Sequence, residues 1–173
     1  MEHEGRAVVF EDAADLANRI DSPDLDVTAD DILVLKNIGP KGAPGMPEAG
    51  YIPIPLKLAR AGVKDIVRIS DGRMSGTAFG TIVLHVTPES AIGGPLAQVR
   101  NGDRIRLSVK NREISLLISE EELAQRMKDN PITSPTAERG YKKLFLDTVT
   151  QADQGVDFDF LRAVKMVGKT PRK

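Results

Sequence analysis

Two glycine-bearing loops hold the residues whose types and spacing could do chemistry. The first is Gly39-Pro40-Lys41-Gly42-Ala43-Pro44-Gly45-Met46-Pro47-Glu48. Its glycines let the backbone approach a ligand, its prolines stiffen it, and it ends on a carboxylate. It has neither the G-K-[ST] ending of a Walker loop nor the G-x-G-x-x-G of a dinucleotide site. Glu48 reads either as a metal or substrate ligand or as a solvated loop acid, and local sequence favours the solvated acid. The second loop, Ser70 to Gly80, gathers Ser, Thr, Arg and Asp in a turn directly after a strand, where open α/β sheets place ligands. Its spacing, Gly72-x-x-Ser75-Gly76, is not the G-x-S-x-G of a nucleophile elbow. Ser75, His85 and Asp71 could be assembled as a Ser–His–Asp relay. His85, however, lies between Leu84 and Val86 in an apolar run, where a satisfied core histidine is the commoner case. The loop otherwise reads as a network of Asx and Ser/Thr turns.

The elements that must position these loops are short. Ala7–Phe10 and Ile32–Leu35 read as strands, the second apolar at every position and so buried on both faces. Ala13, Leu16, Ala17 and Ile20 fall at helical spacing between them. Pro55 opens a short helix that Gly62 closes. Val63–Ile69 and Thr81–Val86 read as strands on either side of the serine loop. Arg104–Val109 alternates with period two, and Glu113–Ile118 can pair with it across Lys110-Asn111-Arg112. Ser119 and Glu122 form a capping box for the next helix. Ser134-Pro135 opens a last helix, with Tyr141, Leu144, Phe145 and Thr148 on one face. His3 lies in an exposed terminal segment. Six or more short strands, several joined by tight turns, favour antiparallel pairing and a mixed β-barrel or sandwich flanked by helices over a doubly wound parallel sheet.

Composition removes several classes of function. A chain of 173 residues is the size of one domain with a true core. Lys plus Arg is 24 against 25 Asp plus Glu, so no basic excess draws nucleic acid or an anionic membrane. There is no cysteine, hence no disulfide, thiolate zinc site, thiol nucleophile or self-contained iron–sulfur cluster. No apolar run reaches the roughly 18 residues of a membrane span, and the N-terminus has no signal-peptide pattern. A soluble, cytoplasmic protein is expected.

Pro44-Gly45-Met46-Pro47-Glu48, followed by Ser70-Asp71-Gly72-Arg73-Met74-Ser75-Gly76, resembles the C-terminal domain of the dihydroxy-acid and sugar-acid dehydratases (IlvD/Edd). His85-Val86-Thr87-Pro88-Glu89, Gly93-Gly94-Pro95-Leu96-Ala97 and Asn101-Gly102-Asp103 continue the resemblance in order, over about Arg6 to Leu161. Met74 and Thr77, with Arg139-Gly140-Tyr141 and the segment Gln151 to Leu161, are similar to the sugar-acid branch. The resemblance implies a mixed α/β fold: an aconitase-like swivelling β-barrel domain over residues 1–161, with a basic tail at 162–173. It implies a hydro-lyase that dehydrates a 2,3-dihydroxy acid to a 2-keto-3-deoxy acid with Mg²⁺ and an iron–sulfur cluster. Ser75 matches the catalytic serine, Thr77 a substrate-binding or serine-positioning hydroxyl, and Glu48 a magnesium ligand. The cluster cysteines of the family lie in an N-terminal domain, the expected partner, within a homo-oligomer. This chain alone is therefore expected to be inactive. The alternative is a non-catalytic swivelling or binding module, and a serine hydrolase is a third reading.

Overall fold

Apolar side chains that alternate along a strand need cover on both sides, and the two central strands receive it. These are β1 (Glu2–Phe10) and β2 (Ile32–Leu35). Val8, Phe10, Leu33 and Leu35 enter one cluster with Leu16 and Ile20, on and just after helix α1 (Ala13–Arg19). Ala7, Val9, Ile32 and Val34 enter the opposite cluster with Leu96, Val99, Ile105 and Leu107. Each such buried aliphatic side chain stabilises the fold by roughly 1.5–3 kcal/mol. The computed structural model describes residues 1–48 and 52–161, so the expected basic tail lies outside the described residues.

The strands form one six-stranded mixed sheet in the order β4-β3-β2-β1-β5-β6. Here β3 is Val67–Ser70, β4 Ile82–Val83, β5 Arg104–Ser108 and β6 Glu113–Leu116. The sheet curls into a half-barrel flanked by helices, the mixed α/β class expected from sequence. Helices α2 (Leu56–Arg60), α3 (Glu120–Asp129) and α4 (Gly140–Thr148) complete the main elements. Pairing differs from the tight-turn expectation. Strands β1 to β4 run parallel, joined by long connections, and only β5 and β6 add antiparallel partners beyond β1. The carboxyl ends of β1, β2 and β3 therefore share one edge, and the chain leaves it at Glu11, Lys36 and Asp71.

Several boundaries move for identifiable reasons. β1 begins at Glu2 because its first half pairs with β5, so His3 is a half-buried strand residue whose Nε2 lies 3.0 Å from the Asp30 carbonyl oxygen. α4 begins at Gly140, not at Ser134, and buries Phe145 and Leu146 while Tyr141 and Leu144 stay exposed. The Ser119 cap is as expected: its Oγ accepts from Glu122 N at 3.1 Å.

Helix α3 is fixed to the sheet by a buried ion pair. The Arg126 guanidinium donates to both Asp103 carboxylate oxygens, at 2.5 and 2.9 Å, and to the Gln98 carbonyl at 3.0 Å. Burial pushes the Asp103 carboxyl up, but Arg126 and the Arg100 N–H outweigh it and hold the group below its ordinary value. A lowered folded-state pKa stabilises the protein above the ordinary carboxylate value, and that contribution is lost as pH falls through the lowered one. Arg126→Met leaves a buried carboxylate unpaired and should cost about 3–5 kcal/mol at neutral pH in urea denaturation. The gap to the parent should narrow on acidification, as the stranded Asp103 takes up a proton. A gap that stays constant with pH would mean that the pairing is not what stabilises α3.

Candidate active site

Two buried carboxylates build the site. Asp71, the first residue after β3, is wholly buried, and backbone amides surround it. Ile38 N donates to Oδ1 at 3.0 Å, and Asn37 N and Ser90 N donate to Oδ2 at 3.2 and 2.9 Å. Glu89 is equally buried. It accepts from Lys41 N and Gly42 N at 2.9 Å and from Gln151 Nε2 at 2.6 Å. The loop after β2, the loop after β3 and the 85–94 segment are thus tied together, and Gln151 ties in the chain beyond α4. Two glycines let them close. A Cβ on Gly72 would stand 2.4 Å from the Ile38 side chain, and one on Gly39 would stand 2.7 Å from Glu89 Oε2.

Arg68 secures the far ends of the same two loops. It is wholly buried in β3. It donates to the Ile52 carbonyl at 3.2 Å, the Phe79 carbonyl at 3.1 Å and Asp65 Oδ1 at 3.0 Å. Asp65 in turn accepts from the Thr81 hydroxyl at 2.7 Å and the Thr81 N–H at 3.0 Å. Burial raises the Asp65 carboxyl and these donors lower it further, leaving it below its ordinary value.

Inside this frame Ser75 is half-buried and Thr77 exposed. Ser75 Oγ accepts from Thr77 N at 3.2 Å and lies 2.8 Å from Thr77 Oγ1. The N–H that donates to this oxygen favours its anionic form, and the Thr77 hydroxyl can donate to it as well when it is ionised. Buried Met74 anchors the chain immediately before Ser75. On the neighbouring loop Met46 is buried and Glu48, two residues on, is exposed. Glu48 makes no hydrogen bond or ion pair among the described residues and shares none with Ser75. The two residues stand on loops that leave the same edge of adjacent parallel strands.

The Ser–His–Asp relay is not formed. The Asp71 oxygens face backbone amides, and Ser75 is bonded to Thr77. His85 is not a core strand residue, because β4 ends at Val83. His85 is exposed, in the left-handed backbone region at φ 57°, with its N–H on the Gly72 carbonyl at 3.1 Å. Sequence reasoning missed Glu89 and Arg68 as organisers. The only available signal was an arginine inside the apolar run Ile66-Val67-Arg68-Ile69, where a charge demands a partner.

The serine–threonine pair thus stands on a loop at the carboxyl edge of the parallel strands of a mixed α/β domain, the edge where open α/β sheets place ligands. The chain belongs to the dihydroxy-acid/6-phosphogluconate dehydratase C-terminal family, whose model matches residues 1–156. It is 60% identical over 161 residues to a protein of Rhizobium meliloti (strain 1021) provisionally named a dehydratase, covering 93% of this chain and 28% of that one. It is 51% identical to a 6-deoxy-6-sulfo-D-gluconate dehydratase of Pseudomonas putida, covering 98% and 29%. It is 39% identical to a dihydroxy-acid dehydratase of Pyrobaculum aerophilum, covering 90% and 27%. The chain thus spans just over a quarter of the length of these relatives. No helix among the described residues is long and apolar enough to cross a membrane.

Asp71→Asn replaces one acceptor oxygen with an NH₂ that faces backbone N–H donors. It should destabilise the fold by about 1–3 kcal/mol. Amide exchange should accelerate at Asn37, Ile38 and Ser90 before it does in β1. Uniform acceleration across the sheet would show that Asp71 is not a local anchor for the loops.

Proposed function

We propose that this chain furnishes one wall of the active site of a dehydratase that converts a 2,3-dihydroxy sugar acid to a 2-keto-3-deoxy acid and water. The observation that carries the reading is the Ser75–Thr77 pair: the Thr77 N–H donates to Ser75 Oγ at 3.2 Å and the two hydroxyl oxygens lie 2.8 Å apart, so the Thr77 hydroxyl is within reach to donate once Ser75 is ionised. An ordinary serine is far too weakly acidic to ionise at neutral pH, and donors aimed at its oxygen are what lower that barrier. As an alkoxide, Ser75 takes the proton from C2. The electron pair left behind forms the C2–C3 double bond, the C3–O bond breaks, and the departing hydroxide becomes water by taking up one proton, equivalent to the one Ser75 removed and returned as its alkoxide is regenerated. The resulting enol becomes the 2-keto acid. Identity of 51% to a sugar-acid enzyme against 39% to a dihydroxy-acid enzyme favours a sugar acid as substrate.

Glu48 fits one position of a magnesium shell, because its carboxylate is exposed and engaged by no other described residue. A Mg²⁺ held by Glu48 would supply positive charge that stabilises the negative charge developing as C2 loses its proton. One carboxylate is a partial site, and no group of three or more His, Asp or Glu side chains stands ready for a metal among the described residues. The remaining ligands belong, in this reading, to an N-terminal partner domain. This chain's residues do not fit an iron–sulfur cluster, since it has no cysteine. Any cluster resides in that partner. A homo-oligomer is part of the same reading.

With the partner domain present, Ser75→Ala should lower turnover by about 10²–10⁴-fold and abolish exchange of the C2 proton with deuterated solvent, while bound metal is unchanged. Exchange that survives would remove Ser75 as the base. Thr77→Val removes a donor to the anionic oxygen, so the acid limb of the pH–rate profile should move to higher pH. Glu48→Gln should weaken Mg²⁺ binding, and unchanged affinity would place the ion elsewhere. The 173-residue chain by itself should turn over no sugar acid.

A further inference from the structure

His85 stands at the functional edge on a backbone that is fixed on both sides. Its own N–H donates to the Gly72 carbonyl at 3.1 Å, and the Val86 N–H donates to the Ser70 carbonyl at 3.2 Å. These bonds carry the pairing with the β3 side past the end of β4. A few residues on, Glu89 and Ser90 close on the loop after β2 and on Asp71. The backbone at His85 is left-handed, at φ 57°. That conformation costs free energy for a residue with a side chain and is open to glycine. Two other non-glycine residues of this edge are left-handed, Asn37 at φ 58° and Met46 at φ 44°, and the side chain of each is engaged. The Asn37 amide donates to the Glu11 carbonyl at 3.0 Å, and Met46 is buried. The His85 ring is exposed and makes no hydrogen bond or ion pair among the described residues. A strained residue whose side chain holds nothing in the fold points to a role toward a ligand.

Which ligand follows from position, and rests on the dehydratase reading above. Ser75 comes three residues after Gly72, at most about 11 Å of chain. Buried Met74 keeps that stretch against the core. A sugar acid seated on Ser75 and the His85 ring therefore share one neighbourhood. The elimination asks for a group that gives a proton to the departing hydroxyl. The charged side chains on these loops are Lys41, Glu48 and Arg73, while Asp71 and Glu89 are turned to backbone amides. An imidazole, unlike a guanidinium or an alkylammonium, both gives and takes a proton near neutrality. We propose that His85 is the general acid of the elimination. Its imidazolium gives a proton to the C3 oxygen as the C3–O bond breaks, and the hydroxyl leaves as water. The neutral ring then takes up the proton that Ser75 removed from C2, which regenerates the serine alkoxide. No proton is gained or lost over the cycle.

Asparagine also tolerates the left-handed region, so His85→Asn should leave the melting temperature of the chain little changed. With the partner domain present, it should lower turnover by about 10²–10⁴-fold. The C2 proton should still exchange with deuterated solvent in this variant, because Ser75 is intact. His85→Gly should behave alike, and added imidazole should restore part of its turnover. The assignment is overturned by unchanged turnover in both variants, by exchange lost together with turnover, by failure of both variants to fold, or by a glycine variant that imidazole does not rescue. Failure of the wider reading has a different signature: exchange that survives Ser75→Ala removes the serine base, whatever the His85 variants do.

Discussion

Backbone amides converging on two buried carboxylates hold the functional edge of this domain together. Asp71 and Glu89 are acids with no exposed surface: backbone N–H groups of residues 37, 38 and 90 reach Asp71, and those of Lys41 and Gly42, with the Gln151 side chain, reach Glu89. A buried carboxylate is tolerable only when donors replace its hydration. Those donors belong to residues 37–42 and 90, so satisfying the acids and shaping the loops are one event. Loops without regular secondary structure are thereby held in a fixed arrangement.

The parallel half of the sheet decides which loops meet. Strands β1, β2 and β3 run in one direction, so everything that follows them gathers at one edge. The antiparallel strands β5 and β6 extend the sheet on the far side and cover the second core cluster. Arg68 reaches back from inside β3 to the ends of both loops, and a buried guanidinium with several fixed acceptors is a geometric restraint as much as a charge. Ser75 and Thr77 therefore sit on a short turn held at both ends. The same arrangement explains why Asp71 is no member of a hydrolase relay: its lone pairs face the backbone of neighbouring loops.

Much of the fold was legible in the sequence. The all-apolar run Ile32–Leu35 marks a strand covered on both faces, and Ser119 with Glu122 marks a helix start. Both are local signals that need no distant residue. The order of loop motifs around Glu48 and Ser75 carried the family, since glycine and proline spacing is written directly in the chain. Strand direction was not legible. The tight-turn pattern holds for β5–β6, but pairing among β1 to β4 depends on long crossovers whose geometry no local residue dictates.

The amino-acid sequence by itself determined the mixed α/β class, the family and the nomination of Ser75, Thr77 and Glu48, because these rest on residue type and spacing along the chain. Only the tertiary structure decided that Asp71 and Glu89 are structural anchors, that Arg68 clamps the loop ends and that His85 stands exposed beyond its strand. Those facts depend on which groups meet after distant segments close, and burial and hydrogen-bond partners are set by that closure rather than by neighbours in sequence.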